Sequence, residues 1–226
     1  MRRHSKIRFK GLLTALCLLV FMAGTAGAIT YNITAGVTTL TMPDGTEVPV
    51  WGYAVEGGVI KVPGDPLVVP AGDNRLVINL TNNLPEETSL HILGQTLSNN
   101  TGPVFTEGDL RVRSFSHETA PGGTGTYQWN DFKPGTWMLQ SATNPARQVQ
   151  MGLYAAVKKD AAAAVAGVSA AEAYPGIPYD QELILVFHDI DPFLHAAIAG
   201  TAGSEPYTSS AYHQPRFYLI NGKSYP

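Results

Sequence analysis

The chain has 226 residues, a formal net charge of −3 and a hydrophobic content of 44%, which excludes wholesale disorder and allows one or two domains. Five of its 15 basic residues fall in the first ten positions, so the rest of the chain carries 10 basic and 18 acidic residues. An acidic body without a basic run excludes nucleic acid and anionic membrane surfaces as partners, because both need clustered Lys and Arg.

The first 28 residues have the pattern of a secretory signal peptide. Residues 1–10 are cationic, residues 12–22 are apolar, and small residues at 26–28 offer a cleavage site after Ala28. The apolar run is shorter than the roughly 20 residues of a permanent membrane helix, so we expect no membrane span after cleavage. The alternative is an uncleaved anchor. The pattern predicts export to the periplasm or cell envelope of a bacterium, or to the exterior.

Cys17 is the only cysteine, and it lies inside this leader. The mature chain is therefore expected to have no disulfide, no thiolate nucleophile and no cysteine ligand for a metal. An exported chain without disulfides is typical of a bacterial envelope rather than of a small disulfide scaffold.

Residues 29–157 have the pattern of many short strands. Apolar residues alternate with polar ones, as in residues 75–80, and turn signals such as residues 43–45 and 121–123 separate the runs. With 23 Gly and 16 Pro in the chain, this spacing predicts an all-β fold, a β-sandwich or Greek-key barrel.

The pattern changes after residue 158. Residues 159–180 are rich in Ala and end near Pro and Gly, which predicts either a linker or a short helix. Residues 182–187 then predict a strand buried on both faces, residues 192–199 two helical turns, and residues 217–220 a strand leading into an Asn-Gly hairpin turn. We expect residues 181–226 to begin a second domain that is incomplete; the alternative is that its strands complete the first sandwich.

Several segments together resemble the first cupredoxin domain of the multicopper oxidases. That family has two copper-binding motifs in this domain, His-x-His-Gly and Trp-Tyr-His-Ser-His. Similar segments lie before each motif, after the second motif and at the start of the next domain. The segments are residues 63–85, 121–127, 135–137, 150–155, 182–191 and 217–226. The resemblance implies a plastocyanin-like, Greek-key β-sandwich at residues 29–158 and the start of a second cupredoxin-like domain at residues 181–226. It also implies copper as cofactor, oxidoreductase activity for the family, and later cupredoxin domains or a second subunit as partners.

Most of the family's copper ligands are missing from this sequence. The first motif reads His91, Ile92, Leu93, Gly94, and the second places Gln140 and Ala142 where the family has imidazoles. His91 is thus one ligand left of four, and Leu93, Gln140 and Ala142 mark lost ligands. Copper needs several converging nitrogen or sulfur donors. We therefore expect the N-terminal part of an exported multicopper-oxidase-like protein that is not catalytic by itself. The alternative is a copper-free envelope sandwich serving as a binding or structural module.

A second group of candidate metal ligands follows the predicted buried strand. His188, Asp191 and His195 combine imidazole and carboxylate donors within eight positions. The alternative is a strand end at which Asp191 caps the following turn. For His91 the alternative is a loop-end histidine satisfied by hydrogen bonds, and His213 is expected in a loop.

Overall fold

The computed structural model describes residues 27–108, 110–206 and 208–224, so nearly all of the predicted signal peptide lies outside the described residues. Within them, no helix is both long and apolar enough to cross a membrane. The part of the chain that the structure describes contains two α-helices, α1 (Pro145–Met151) and α2 (Pro192–Ala199). The first ten strands are β1 (Ala28–Thr41), β2 (Glu47–Val55), β3 (Gly64–Val69), β4 (Arg75–Asn82), β5 (His91–Ile92), β6 (Val104–Phe105), β7 (Val112–Ser114), β8 (Thr124–Trp129), β9 (Gly135–Gln140) and β10 (Tyr154–Lys159). The last five are β11 (Ala171–Tyr174), β12 (Ile177–Tyr179), β13 (Phe187–Ile190), β14 (Phe217–Ile220) and β15 (Lys223–Ser224).

Two four-stranded sheets form the body of the protein. The first has the order β2-β1-β4-β8 and the second the order β3-β10-β9-β5, with β1 parallel to β4 and β10 parallel to β3. In β4 the apolar residues Leu76, Ile78 and Leu80 are fully buried and alternate with less buried neighbours, as a strand packed on one face requires. The predicted all-β sandwich is confirmed.

The core lies between these sheets. Large aromatic and aliphatic side chains from both of them are buried together, among them Trp51, Tyr127, Trp129 and Leu139. Helix α2 adds Leu194 and Ile198 to the same cluster, so the C-terminal part of the chain packs on the sandwich. At roughly 25 cal/mol per Å² of buried apolar area, these side chains are the main source of stability.

Residues 159–180 form no helix, so the helical alternative for this segment is wrong. Strands β11 and β12 pair as a hairpin, and Ala162 bridges Glu172. The Tyr179 hydroxyl ties the hairpin to the body, because it accepts from Lys158 Nζ at 2.6 Å and donates to Asp160 Oδ2 at 2.8 Å. These tertiary contacts override the helix propensity of the Ala-rich stretch.

Strands β13, β14 and β15 form a separate three-stranded sheet, which together with α2 we call the terminal unit. The predicted burial of residues 182–187 is wrong: the strand begins only at Phe187, and the Leu183 and Phe187 side chains are 78% and 70% exposed. The predicted helix and last strand are confirmed. The Asn-Gly turn is confirmed too, with φ of 50° at Asn221 and 76° at Gly222, as a tight hairpin turn requires.

Candidate metal centre

The structure brings together two of the positions at which the resemblance implies copper ligands. His91 lies directly opposite Gln140 in the antiparallel pair β5–β9, and Ile92 lies opposite Leu139. Leu93, just beyond β5, is 47% exposed, whereas Ala142 is fully buried. Of the four side chains at the positions that the resemblance implies, those with a donor atom are one imidazole, that of His91, and one amide, that of Gln140.

His91 sits in an apolar setting. Its ring stacks on Phe115 with a centroid separation of 6.3 Å and an interplanar angle of 8°. Burial lowers the pKa of His91, so the ring is neutral at pH 7. Within the described residues its Nε2 is buried and has no hydrogen-bond partner, so hydrogen bonds do not fully satisfy this histidine.

A buried amide fills the space next to the second motif. Gln148 is fully buried, and its Oε1 accepts from Ser141 Oγ at 2.6 Å and from Thr88 Oγ1 at 2.8 Å. Its Nε2 donates to Glu86 Oε1 and to the Glu87 carbonyl, both at 2.8 Å. All four hydrogen-bonding positions of one side chain are thus used within the protein.

Helix α1 positions this glutamine, and sequence reasoning missed it. Pro145 occupies the start of the helix, and Gly152 follows its end with φ of 119°. A Cβ at Gly152 would lie 2.3 Å from the Trp51 carbonyl oxygen, so glycine is required there. Proline at the first position and glycine just past the end are common start and stop signals of a helix. These two residues were the sequence signal that could have predicted α1.

A second set of hydroxyls lies beside the first. Ser89 Oγ contacts Ser114 Oγ at 2.9 Å and Thr143 Oγ1 at 2.8 Å. Thr143 Oγ1 also donates to Glu118 Oε1 at 3.1 Å, and Glu118 pairs with Arg113. Because the buried hydroxyls satisfy one another, this region has few lone pairs left for a metal.

The residues at the positions where the resemblance implies copper ligands do not fit copper. Leu93 and Ala142 have no donor atom, and the Gln140 amide is a weak ligand beside imidazole. Over the described ranges, no group of three or more His, Cys, Asp or Glu side chains is arranged to hold a metal ion.

The other candidate ligands meet on the terminal unit. His188 of β13 and His195 of α2 have ring centroids 6.3 Å apart at an interplanar angle of 42°. His195 is fully buried, and its Nδ1 lies 2.9 Å from the Pro49 carbonyl of β2. That bond anchors α2 to the first sheet.

Asp191 has a different role from the one its spacing predicted. It is the N-cap of α2, with Oδ1 accepting from the backbone N–H groups of Phe193 at 2.9 Å and Leu194 at 3.2 Å. Its Oδ2 accepts from the Gln214 backbone N–H at 2.8 Å. The capping alternative for Asp191 is confirmed, and the cap leaves the carboxylate little capacity for a metal.

His213 comes back to this cluster from a distant loop. It follows a short 3₁₀ turn (Ser210–Tyr212), in the loop that the sequence predicted. Its Nε2 lies 3.3 Å from Asp189 Oδ1, and its Nδ1 lies 3.9 Å from Asp191 Oδ2. Sequence reasoning missed this proximity, because no local pattern links a loop residue to a strand and a helix so far back along the chain.

The imidazoles of His188 and His195 are both neutral at pH 7. Burial, with a smaller effect from His195, lowers the pKa of His188 to about 4, and the ring meets Tyr154 edge-on at 5.2 Å. Burial also lowers the pKa of His195. Neutral imidazole is the form that binds metals and accepts hydrogen bonds.

A cavity of about 550 Å³ lies beside His188. Met138 and Tyr154 of the sandwich form one wall, and Phe187 and Tyr218 of the terminal unit form the other. Its wall is mostly apolar, with Gln150, His188 and Asp189 as polar exceptions. A cavity of this size and character suits a small, largely apolar molecule.

Comparison with known proteins agrees with this architecture. The sequence profile of the multicopper oxidases matches residues 34–160, more than half of the chain. The chain belongs to the multicopper oxidase family. A search of the curated proteins found no match.

Solved structures of multicopper oxidases share the fold. A multicopper oxidase from Pseudomonas thermotolerans is 20% identical with a TM-score of 0.58, covering 88% of this chain and 42% of its own. The multicopper oxidase mgLAC is 17% identical with a TM-score of 0.60, and the shares are 88% and 55%. The blue copper oxidase from Nitrosomonas europaea is 18% identical with a TM-score of 0.57 and shares of 88% and 55%. These likenesses confirm the cupredoxin-like sandwich, and the chain spans about half the length of these structures.

Proposed function

We propose that this chain is a scaffold part of an exported multicopper-oxidase-like protein and that it is not catalytic by itself. The observation that carries the proposal is His91 facing Gln140, in a sandwich that otherwise follows the family. With Leu93 and Ala142 at the other ligand positions, the family's copper cluster has one imidazole here. Oxidation of substrate by copper then requires other cupredoxin domains, on the same chain or on a second subunit.

Exposed apolar side chains support such a partner. Phe187 and Tyr218 are 70% and 62% exposed, and both lie on the terminal unit at the rim of one cavity. Large apolar side chains gathered on one surface typically mark an interface. A further cupredoxin domain packed on this surface would bury them.

Copper loading and turnover test the scaffold role. The full chain is incubated with Cu(II), freed of excess metal, and assayed for dioxygen uptake with hydroquinone as reductant. We expect no uptake above a sample without protein, because one imidazole cannot hold the cluster. Uptake that is lost in His91→Ala but kept in the matched variant His117→Ala would overturn the proposal.

The partner is tested at the gene. We expect the reading frame beyond codon 226, or a neighbouring gene, to encode a cupredoxin domain with a His-Cys-His run. Strands that carry such a run supply the thiolate and imidazoles of a blue copper site. Unrelated sequence in both places would contradict the partner and favour the second candidate function below.

Export is part of the proposal and is supported by the sequence of residues 1–28. The first sheet begins next to the predicted cleavage site, because Ala28 is the first residue of β1. N-terminal sequencing of the protein recovered from the envelope fraction of its bacterium tests it. We expect Ile29 as the first residue; recovery of the intact chain in the cytoplasm would contradict export.

The cavity favours a second candidate function, a binding module that uses the fold without copper. A mostly apolar wall with three polar side chains and a volume of about 550 Å³ suits a drug-sized apolar ligand. We expect 8-anilinonaphthalene-1-sulfonate to bind with enhanced fluorescence and Met138→Trp to weaken it by filling the cavity. Equal fluorescence in Met138→Trp and in the matched surface variant Val37→Trp would exclude this function.

A further inference from the structure

Asp189 brings a negative charge to the cavity beside His188. Its side chain is 43% exposed, and within the described residues its carboxylate contacts His213, whose Nε2 lies 3.3 Å from Oδ1. The Gln150 side chain donates to the backbone carbonyl of Asp189 at 3.2 Å, not to its carboxylate. The carboxylate therefore keeps lone pairs for a further donor in a wall that is mostly apolar.

The hydroxyl of Tyr154 is a polar atom of the same wall that lacks a partner. The residue is 4% exposed and lines the cavity, and its hydroxyl forms no hydrogen bond within the described residues. Burial, with a smaller effect from the negative charge of Asp189, raises the pKa of Tyr154, so the hydroxyl is neutral and feels that carboxylate. Native proteins satisfy most buried polar atoms, so an unpaired hydroxyl beside a cavity indicates a partner that enters from the cavity.

Two aromatic rings lie next to the carboxylate. Phe187 and Asp189 are two positions apart on β13, so their side chains leave the same face of the strand. Tyr218 lies directly opposite Asp189 in the pair β13–β14 and shares that face. Both rings are mostly exposed and line the cavity. The faces of aromatic rings attract cations, so the rings and the carboxylate favour a ligand of the same charge.

The surrounding charges also favour a cation. The described residues that line the cavity include one carboxylate and neither Lys nor Arg, and the basic group that faces Asp189 is His213. Beyond its first ten residues the chain carries 10 basic and 18 acidic residues, so its long-range field attracts cations as well. The volume of about 550 Å³ accommodates an apolar body of drug size.

We propose that this cavity binds a small molecule with an apolar body and one primary ammonium group. The ammonium donates to the Asp189 carboxylate and to the Tyr154 hydroxyl oxygen, and the apolar body packs against Met138. An ammonium has three N–H donors and no acceptor, and both of these oxygens accept hydrogen bonds. The inference rests on the second candidate function, because it names the class of ligand for the same cavity.

A cationic ligand and its neutral isostere test the proposal. Calorimetric titration of the full chain compares 1-naphthylmethylamine, a cation at neutral pH, with 1-naphthylmethanol. We expect the amine to bind about tenfold more tightly or better, because its hydrogen bonds to the carboxylate are charge-assisted. Asp189→Asn should remove this preference, and the matched variant Asp131→Asn, which alters a surface pair with Lys133, should keep it. Equal affinity of the parent for amine and alcohol would overturn the proposal.

An anionic ligand separates loss of charge from loss of folding. The sulfonate of 8-anilinonaphthalene-1-sulfonate is repelled by Asp189, so Asp189→Asn should strengthen its binding about threefold while it weakens that of the amine. Shifts in opposite directions do not arise from unfolding. A variant that keeps both affinities at the parent values would overturn the role of Asp189 and with it the proposal.

Tyr154→Phe is a second variant, and circular dichroism checks that each variant folds. It removes the unpaired hydroxyl and keeps the ring against His188. We expect the amine to lose about threefold more affinity than the alcohol, because only the amine places an N–H of a cation on that oxygen. Equal losses for the two ligands would contradict the contact with Tyr154.

Met138→Trp distinguishes failure of the ligand class from failure of the cavity. If it weakens amine and alcohol while the two bind the parent equally, the cavity is a binding site and the ammonium preference is wrong. If it weakens neither ligand, binding lies elsewhere, and both the second candidate function and this inference are overturned. A tenfold preference for the amine that is lost in Asp189→Asn, with both ligands weakened by Met138→Trp, is the result that supports the proposal.

Discussion

The sandwich and the terminal unit treat buried polar groups in opposite ways. In the sandwich, Gln148 uses all four of its hydrogen-bonding positions, and the hydroxyls around it are paired. In the terminal unit, the buried rings of His188 and His195 lie against backbone carbonyls, that of Gln150 for both and that of Pro49 for His195. Side chains thus satisfy the buried polar groups of the sandwich, whereas the backbone serves those of the terminal unit.

The two regions also differ in where their aromatic residues lie. Trp51 and Trp129 of the sandwich are almost fully buried, whereas Phe187 and Tyr218 of the terminal unit are mostly exposed. Buried aromatic area stabilises a fold, and exposed aromatic area marks a surface for binding. Stability therefore resides mainly in the sandwich.

The largest expected effect comes from replacing one aromatic residue in the sandwich and one in the terminal unit. Trp129→Ala leaves a cavity in the core and should lower the free energy of unfolding by about 3–5 kcal/mol. Phe187→Ala removes exposed area and should change it by about 0.5 kcal/mol or less. Urea denaturation measures both. Equal losses would mean that the terminal unit contributes as much to stability as the sandwich.

The next test removes the buried amide. Gln148→Leu keeps the approximate volume but leaves Ser141, Thr88 and the Glu87 carbonyl without their partner, so we expect a loss of about 2–3 kcal/mol. Gln128→Leu is the matched control, since that side chain bonds to Arg75 on the surface. A loss in Gln148→Leu no larger than in the control would show that the network contributes no net stability.

A pH titration tests the neutral imidazole in the metal-free chain, with chelator present. Burial puts the pKa of His188 at about 4 in the folded chain, below the ordinary value of 6.5. The unfolded chain therefore binds this proton first, so stability falls as pH drops from about 7 towards 4, by about 2 kcal/mol. Facing charged groups are Asp189, which opposes the shift, and His213, which adds to it.

The matched variant isolates that effect. His188→Phe has no proton to bind, so the difference in unfolding free energy between it and the parent should change across the same pH window. Urea denaturation at pH 7 and pH 4.5 measures it. Parallel pH profiles for the two proteins would show that His188 is solvated in the folded chain.

The smallest expected effect is at the cap of α2. Asp191→Ala removes the acceptor for two backbone N–H groups and should cost about 1 kcal/mol. Asp191→Asn keeps an acceptor oxygen and should cost less than half of that. Urea denaturation measures both variants, and equal losses in Asp191→Ala and Asp191→Asn would show that the acceptor oxygen of the cap contributes no net stability.

Local patterns predicted most of the strands. Residues 124–129 and 217–220 alternate or run in apolar fashion between clear turn signals, and both strands occur at those bounds. Residues 192–199 form the expected helix because Asp191 and Pro192 start it and Gly200 ends it. In each case the signal lies within a few residues of the element.

The predictions failed where burial depends on distant neighbours. Residues 182–187 have the composition of a central strand, yet β13 begins at Phe187 and pairs with β14 alone. The Ala-rich residues 161–166 favour helix locally, and contacts with Glu172 override that preference. The meeting of His213 with Asp189 depends in the same way on the path of a loop rather than on its sequence.

The first strand of the sandwich sets the order in which the protein is able to fold. β1 lies between β2 and β4, and its parallel partner begins only at Arg75, after β2 and β3 have been synthesised. The β2 hairpin forms early from neighbouring sequence, but the sheet closes when β4 and then β8 arrive. A nascent chain that pauses before Arg75 therefore exposes the edge of β1 that later pairs with β4. Unpaired strand edges promote aggregation, so a chaperone would protect the chain at this stage.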